Sequence, residues 1–579
     1  MGVFVILTKS FTIDLNMKKE SIYIAFLSIL LFFIITGGNL LNPNNIEWLI
    51  LGKDQISDNE SYLIGWFFFR EAPFFQYPFL LMPKLGEGAL VTLAYTDSIP
   101  LMAIFFKIFK NFIFFDFQYF GMWICLCFLL QGYFSYLILR KFITNNINII
   151  LATTLFLIAP VFLFRFQLGH FALLGQWIIL ASIFLYCEKD FSIKKWVISI
   201  ITSLLIHPYI FIMVLGLFAA DLFQKIINKN KNLKFLVINV LISIPIIIFS
   251  LFIFGHTSTG NVNNLELFGG YGHFKMNLLS IIDPEYDLLG NQTSWSKILP
   301  NQNNQHWSDT FADYEGFNFL GSGIFILILL VLAKGASLNL SRLIKENKYF
   351  FIPLVLISIV FSIFAISNNV TFGKEIIFQY NLNPDILPYV NVFRASGRFF
   401  WPVYYLIYFL IIIIFIRKYT SKQVTIILSL VICFQLYDSS EAIMNIHNTL
   451  NKKNVPNEEK WSSKLKDDFW ITASKRYKRI NYVFPYTQPH HSFELLYYAA
   501  KNNLSTNFGY WFKDTQAFYK NEKNKLSREI EENNYDKFSI YYINDKEIWE
   551  IIQKNKKPRD LVKVIDGYNI LAPNYYPES

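Results

Sequence analysis

Charge is scarce in this sequence: Asp, Glu, Lys and Arg together make up 16% of its 579 residues. Cysteine is scarcer still, and Cys125, Cys127, Cys187 and Cys433 all lie in or beside apolar runs. That argues against a disulfide framework or a zinc site and favours small core residues. No HExxH, CxxC or comparable ligand cluster occurs. The C-terminal part has neither a phosphate-cradling glycine loop nor GxGxxG. The first apolar run, from about Ile22 to Leu41, is followed by no small-residue cleavage site, so it reads as an uncleaved first helix.

What remains is apolar. The chain is 54% hydrophobic and 18% aromatic, with positive mean hydropathy. Its repeated apolar runs of about 20 residues predict a mainly α, polytopic transmembrane bundle. Beyond the first helix, spans are expected near 119–139, 145–165, 168–187, 234–254, 318–335, 348–367, 399–416 and 421–437. The stretch 99–115 carries Lys107 and Lys110 on one face and suits an interfacial or re-entrant helix. Met17-Lys18-Lys19 resembles a natural start, which leaves residues 1–16 without a role.

Residues 196–223, WVISIITSLLIHPYIFIMVLGLFAADLF, are too long for one span. As a single helix they would reach about 42 Å, against a hydrocarbon core of about 30 Å. The positive-inside rule decides how to divide them. With Lys18 and Lys19 cytoplasmic, two short helices turning at His207-Pro208-Tyr209 place Lys225, Lys234, Arg417 and Lys418 inside as well. The result is about eleven membrane helices, with loops 41–98, 255–317 and 368–398 and the C-terminus outside. The net charge of +10 is thereby explained as a set of topological signals. Nucleic-acid binding is not supported.

After about residue 440 the composition turns polar. RINYVFPY, KFSIYYIND and LVKVIDGYNILAP read as strands, while SFELLYYAAKN, DTQAFYKNEKNKLSREIEEN and DKEIWEIIQKN read as helices. The expected organisation is a transmembrane domain over 1–440 and a soluble extracytoplasmic α/β domain over 441–579. The latter suits acceptor recognition better than a second catalytic centre.

Several residues have the chemistry for a site. Asp54, just past the first helix, suits a general base on an acceptor hydroxyl, a role worth roughly 10²–10⁴-fold, its alternative being an ordinary acid of an external loop. Asp97, in TDSIPL, is a second acidic candidate, with a structural alternative as the cap of a helix entered through Pro100. A divalent cation between the two suits the hard oxygen ligands, although two isolated carboxylates do not specify one. Arg394 and Arg398 stand four apart before an aromatic helix. On a shared helical face they suit a phosphate or pyrophosphate, and the alternative is snorkelling to lipid headgroups. Gln118, Gln131, Arg165, Gln167, His170, Gln176 and His207 interrupt or border apolar runs and are expected to face the bundle interior. His207, Tyr209 and His170 are expected at a cavity, His170 having a hydrogen-bonded structural role as its alternative.

Asp54, GWFFFR (Gly65–Arg70), AYTDSIPL (Ala94–Leu101), FQYFGMW (Phe117–Trp123), the HPY turn and FRASGRFFWP (Phe393–Pro402) together resemble a family of bacterial polytopic membrane proteins. That family is similar to the GT-C class of membrane glycosyltransferases, and the likeness covers roughly 20–440. It implies a catalytic carboxylate in the first external loop, matched by position to Asp54, with Asp97 beside it. It also implies a sugar donor carried on polyprenyl phosphate, held by Arg394 and Arg398 with Arg70, a glycan or lipid acceptor, and residence in the bacterial inner membrane. Trp295, Trp307 and Tyr314 are then expected to meet sugar faces. No DxD or adjacent acidic pair follows the first helix, which leaves metal dependence open. A transporter or flippase of lipid-linked sugars is the other class, but only one broken segment occurs and no matching half.

Overall fold

The computed structural model describes residues 19–50, 57–228, 232–256, 270–288, 291–299, 311–335, 347–451, 461–512 and 515–576. Asp54, Trp307 and residues 1–18 lie outside that set. Most of the described chain is helical, and seven helices are long and apolar enough to cross a membrane. They are Lys19–Thr36, Phe120–Arg140, Asn146–Gln167, Pro208–Ile227, Leu233–Ile253, Lys348–Ile366 and Ser396–Lys418. An eighth results if Ser421–Asp438 and Ser440–Leu450, bent by 60°, count as one span. These apolar helices are compatible with a multi-pass membrane protein.

The expected eleven are not confirmed: among the described residues, three of them are too short to count as spans by length. Residues 168–187 form a 3-10 turn and the helix Trp177–Tyr186, after a reversal at Gly169-His170. Residues 318–335 yield only Ser322–Ala333, entered from Gly321 at positive φ. The third is Ile193–Ile206, and it ends where Pro208–Ile227 begins, so the expected break in 196–223 is present. Pro208 occupies the first helical position, where its missing N–H costs nothing, and His207 caps that turn by accepting from the Tyr209 amide at 3.2 Å. Lys225, expected on the cytoplasmic side, is buried. Its Nζ lies 3.1 Å from Asp221 Oδ1 and donates to the Glu188 carbonyl at 2.6 Å, while Trp196 Nε1 donates to Asp221 Oδ2 at 2.8 Å.

By compactness the chain divides into two units. One comprises residues 1–41, 120–248 and 265–451. In it, polar side chains from separate helices pair with one another, as bilayer-embedded polar groups must. Gln131 Nε2 donates to the Tyr405 hydroxyl at 2.9 Å, which donates to Gln176 Oε1 at 2.5 Å. Two antiparallel hairpins complete this unit: β1 (Glu285–Leu288) with β2 (Asn291–Ser294), and β3 (Asn369–Phe372) with β4 (Glu375–Gln379).

The second unit joins residues 42–119 and 249–264 to 452–579. Its sheet is formed by β5 (Arg479–Tyr482), β6 (Ser505–Thr506), β7 (Ser539–Tyr542), β8 (Leu561–Ile565) and β9 (Tyr568–Ala572). Their order across the sheet is β6-β5-β7-β9-β8. β5 runs parallel to β6 and β7, and β9 antiparallel to β7 and β8. The α/β expectation therefore holds, although LVKVIDGYNILAP is a hairpin rather than one strand. Asp566-Gly567, both with positive φ, make its two-residue turn.

The segment after the first membrane helix is not an open loop. Asp58–Glu71 is a helix with a reciprocal capping box between Ser57 and Glu60, and it buries Trp66, Phe67 and Phe69. Downstream, the Thr506 amide donates to the Lys84 carbonyl at 2.8 Å and the Glu87 amide to the Thr506 carbonyl at 2.6 Å. Arg479 lies 3.1 Å from Glu87 and 2.9 Å from Glu522. This segment is built into the C-terminal α/β fold. Nor do Lys107 and Lys110 form a helical face: the helix Pro100–Lys107 stops, and Lys107 is buried on the Pro73 carbonyl at 3.2 Å and over the Phe69 ring at 3.8 Å.

Candidate functional site

Within the first unit, three separated segments converge on one carboxylate. Arg165, near the end of the helix Pro160–Gln167, donates from Nη1 to Glu315 Oε2 at 2.7 Å. Arg398 donates to the same oxygen from Nε at 2.8 Å, and its Nη2 meets Oε1. His170 Nδ1 stands 3.7 Å from Oε1. Glu315 is buried and Arg165 has 0% exposure, so these are charges removed from water that stand only because they are paired. Burial opposes ionisation of Glu315, but Arg398, Arg165 and His170 outweigh it and hold the carboxyl well below the usual carboxylate range.

The local sequence explains the convergence. Glu315 sits on the 3-10 turn Phe311–Gly316 and Arg398 on the 3-10 turn Ser396–Phe400. A Cβ on Gly397 would fall 2.5 Å from Gly316 Cα, and one on Gly316 would fall 2.1 Å from the Lys275 carbonyl oxygen. Only glycine allows the two turns to meet there. Gly397→Ala is therefore expected to lower stability by about 1–3 kcal/mol through overpacking, read as a fall in thermal-shift midpoint in detergent. An unchanged midpoint would mean that the turns have slack.

The HPY turn supplies the next layer. The Arg398 guanidinium lies 4.8 Å from the Tyr209 ring centroid, and the Tyr209 hydroxyl accepts from the Ala395 amide at 3.0 Å. His207 is buried behind it, engaged through Nδ1 on the Tyr209 amide. Arg394 lies 5.4 Å from the Phe274 centroid. Arg394 and Arg398 do not share a helical face, because Ala395 leaves the helical region and the 3-10 turn starts only at Ser396. Arg165 is the most deeply set member: its Nε and Nη2 find no acceptor among the described residues, and Trp401 and Phe164 rings flank it at 4.9 and 5.1 Å.

Asp97 lies in the other unit, on a backbone held under strain. Asp97 and Ile99 both have φ of 50°, which for a β-branched residue is an outlier that only surrounding contacts sustain. Between them, Ser98 Oγ donates to the Tyr62 carbonyl at 2.8 Å, and the Tyr119 hydroxyl donates to the Ser98 carbonyl. Gly65 makes room, since a Cβ there would lie 2.3 Å from Thr96 Oγ1 and 2.4 Å from Ser98 Oγ. The GWFFFR and AYTDSIPL motifs are thus one packed structure, with the Tyr95 carbonyl accepting from the Phe512 amide at 2.8 Å. Asp97 does not cap the following helix, whose N-cap position is Ile99.

Two other expectations change. Arg70 is buried at the end of Asp58–Glu71, where it donates to the carbonyls of Phe114 and Phe115 at 2.9 Å and of Ile113 and Lys110 at 3.2 and 3.3 Å. Its guanidinium fastens a turn rather than facing a phosphate. Trp295 has 0% exposure and donates to Gln167 Oε1 at 3.0 Å, so it is core and not a sugar platform; Tyr314 is half-buried. Glu315 is the residue that sequence reasoning passed over among the acids of 255–317. Arg165 inside an apolar run was the signal for it, because a buried guanidinium requires a counter-charge. Among the described residues, no group of three His, Cys, Asp or Glu is placed to hold a metal ion.

Residues 25–440 match a family described as a domain of unknown function, DUF6311, and residues 469–573 match the DUF6311 C-terminal domain. Neither a curated protein nor a solved structure matches the chain.

Proposed function

The chain belongs to the DUF6311 family, and from that footing we propose that it is an integral membrane glycosyltransferase. It transfers a sugar from a polyprenyl-phosphate-linked donor to a cell-envelope glycan or lipid acceptor on the external face of the bacterial inner membrane. The N-terminus is cytoplasmic and the C-terminal domain extracytoplasmic in this reading. The observation that carries it is the convergence of Arg165 and Arg398 on the single buried carboxylate of Glu315, at the ends of apolar helices. Such a pre-oriented cationic group suits charge that develops on a phosphate leaving group.

The roles follow. Arg394 and Arg398 hold the donor phosphate, and Glu315 with Arg165 fixes the plane of Arg398 from behind. Tyr209 supports that plane from beneath. Asp54 takes the proton of the acceptor hydroxyl, whose oxygen attacks the anomeric carbon as the bond to phosphate breaks. Configuration inverts and polyprenyl phosphate leaves. Asp97 serves as the second acid of that segment, where a divalent cation would find hard oxygen ligands.

The break at His207-Pro208 favours a second reading, since interrupted helices are a feature of transporters. In that case the protein moves lipid-linked sugars across the bilayer without cutting them. Proteoliposomes loaded with radiolabelled polyprenyl-phosphate hexose and an acceptor lipid separate the two. The expected result is label on the acceptor. Label that changes leaflet while still bound to polyprenyl phosphate would replace the transferase by the flippase.

A further inference from the structure

The C-terminal sheet has a topological switch point. From β5 the chain passes through the helix Phe493–Lys501 to β6 on one side, then through Gln516–Glu531 to β7 on the other. In open α/β sheets, ligands settle in the crevice outside the carboxyl ends of the strands at such a point. Here that position is the end of β5 and β7, where Tyr482 and Tyr542 are register partners.

The side chains at this end are aromatic, hydroxylic and amide-bearing. Tyr482 is 1% exposed, and its hydroxyl is enclosed beside the Tyr486 hydroxyl and the Asn544 amide. Its ring is 5.1 Å from Tyr542 and 5.9 Å from Tyr486, measured between centroids. Tyr486 is 37% exposed and its hydroxyl accepts from the His490 amide at 3.2 Å. The Tyr542 hydroxyl donates to Asn544 Oδ1 at 3.1 Å, and Asn544 is exposed. The loop above is tightly determined: Phe484, Gln488 and His491 all have positive φ, at 59°, 61° and 53°.

The charge at this end argues against an anion. The seat that a helix N-terminus offers to a phosphate in nucleotide-binding folds is already taken here. The N-terminus of Lys546–Lys554 is capped by Asp545, whose Oδ1 accepts from the Ile548 amide at 3.0 Å. The first turn of Phe493–Lys501 likewise carries the buried acid Glu494. The exposed ring and hydroxyl of Tyr486 beside the exposed Asn544 amide match instead the apolar face and hydroxyl edge of a sugar.

We propose that the surface formed by Tyr486, His490 and Asn544, over the buried Tyr482 and Tyr542, binds a neutral saccharide, as the docking place of the glycan acceptor. The acceptor role rests on the transferase reading; the saccharide site itself does not.

The test is saturation-transfer NMR on the full chain in nanodiscs, with maltotriose and chitotriose as probes and inorganic phosphate as competitor. At least one trisaccharide is expected to bind saturably, and Tyr486→Ala to weaken it tenfold or more. Asn544→Ala, on an exposed side chain, is expected to weaken it severalfold and decides the matter if the first variant misfolds. No saturable binding of either probe, binding indifferent to a folded variant, or displacement by inorganic phosphate would each overturn the site. Sugar transfer in proteoliposomes without trisaccharide binding removes the site alone. Binding without transfer removes the transferase reading and leaves the site.

Discussion

Glu315→Gln is expected to cost about 3–5 kcal/mol of stability, the price of stripping the counter-charge from buried guanidinium groups. Arg165 and Arg398 both place N–H donors on that carboxylate, and Arg165 has no exposed surface on which to rehydrate. The amide keeps the shape and one acceptor but not the charge. Size-exclusion profiles and thermal-shift midpoints in detergent read the loss. Combining it with Arg398→Met is expected to recover a good part of it, because one unpaired charge then goes as well, and close partners are strongly non-additive. A Glu315→Gln protein that melts like the parent would show that the two arginines do not depend on Glu315.

The same group sets an acid limit. Its folded pKa is depressed, so its contribution is fully present above the ordinary carboxylate value of about 4.3 and is lost only as pH falls towards the folded value. Between pH 5 and 8 Glu315 is expected to add no slope to the melting curve of the parent protein.

Asp54→Asn is expected to reduce sugar transfer by roughly 10²–10⁴-fold, the range for removing a positioned general base, with the melting midpoint unchanged. Asp97→Asn makes the internal comparison. Asp97 holds a left-handed backbone, which asparagine tolerates better than most residues, so this variant is expected to fold. Its transfer rate is expected to fall by less than about tenfold, as befits a group that is not the base. Initial rates in proteoliposomes, normalised to inserted protein, provide the measurement. Undiminished transfer by folded Asp54→Asn would sink the base assignment, and a larger loss at Asp97 would move that role there.

Much of the helical part was legible because its signal is periodic hydrophobicity over long runs. The break at His207-Pro208-Tyr209 was legible for a different reason, a length that no single span accommodates. The short helices were misjudged because hydropathy does not register reversals such as Gly169-His170 or the Gly321 entry, where backbone conformation sets the helix end. In the site, Arg398, Tyr209 and His170 were named from sequence and do lie together. Arg70 was misplaced because an arginine looks alike from sequence whether its partners are phosphates or main-chain carbonyls. Glu315 was hidden because an acid in a polar loop carries no mark until its distant partners are seen. The union of residues 42–119 with the C-terminal domain was equally invisible, since β6 is only two residues long and its pairing with Lys84 and Glu87 is a main-chain affair.

That union sets an order of events during synthesis. Residues 42–119 emerge early, yet Thr506, Tyr510 and Phe512, which bond to Lys84, Glu87, Ser61 and Tyr95, are translated only near the end. At about 5–20 residues per second, the interval is on the order of tens of seconds. Throughout it, the aromatic residues around Asp58–Glu71 wait without the strands and loops that cover them. The amino-terminal segment thus cannot reach its final form until the last part of the chain has arrived, and a ribosome that stops short leaves both ends of this unit unfinished.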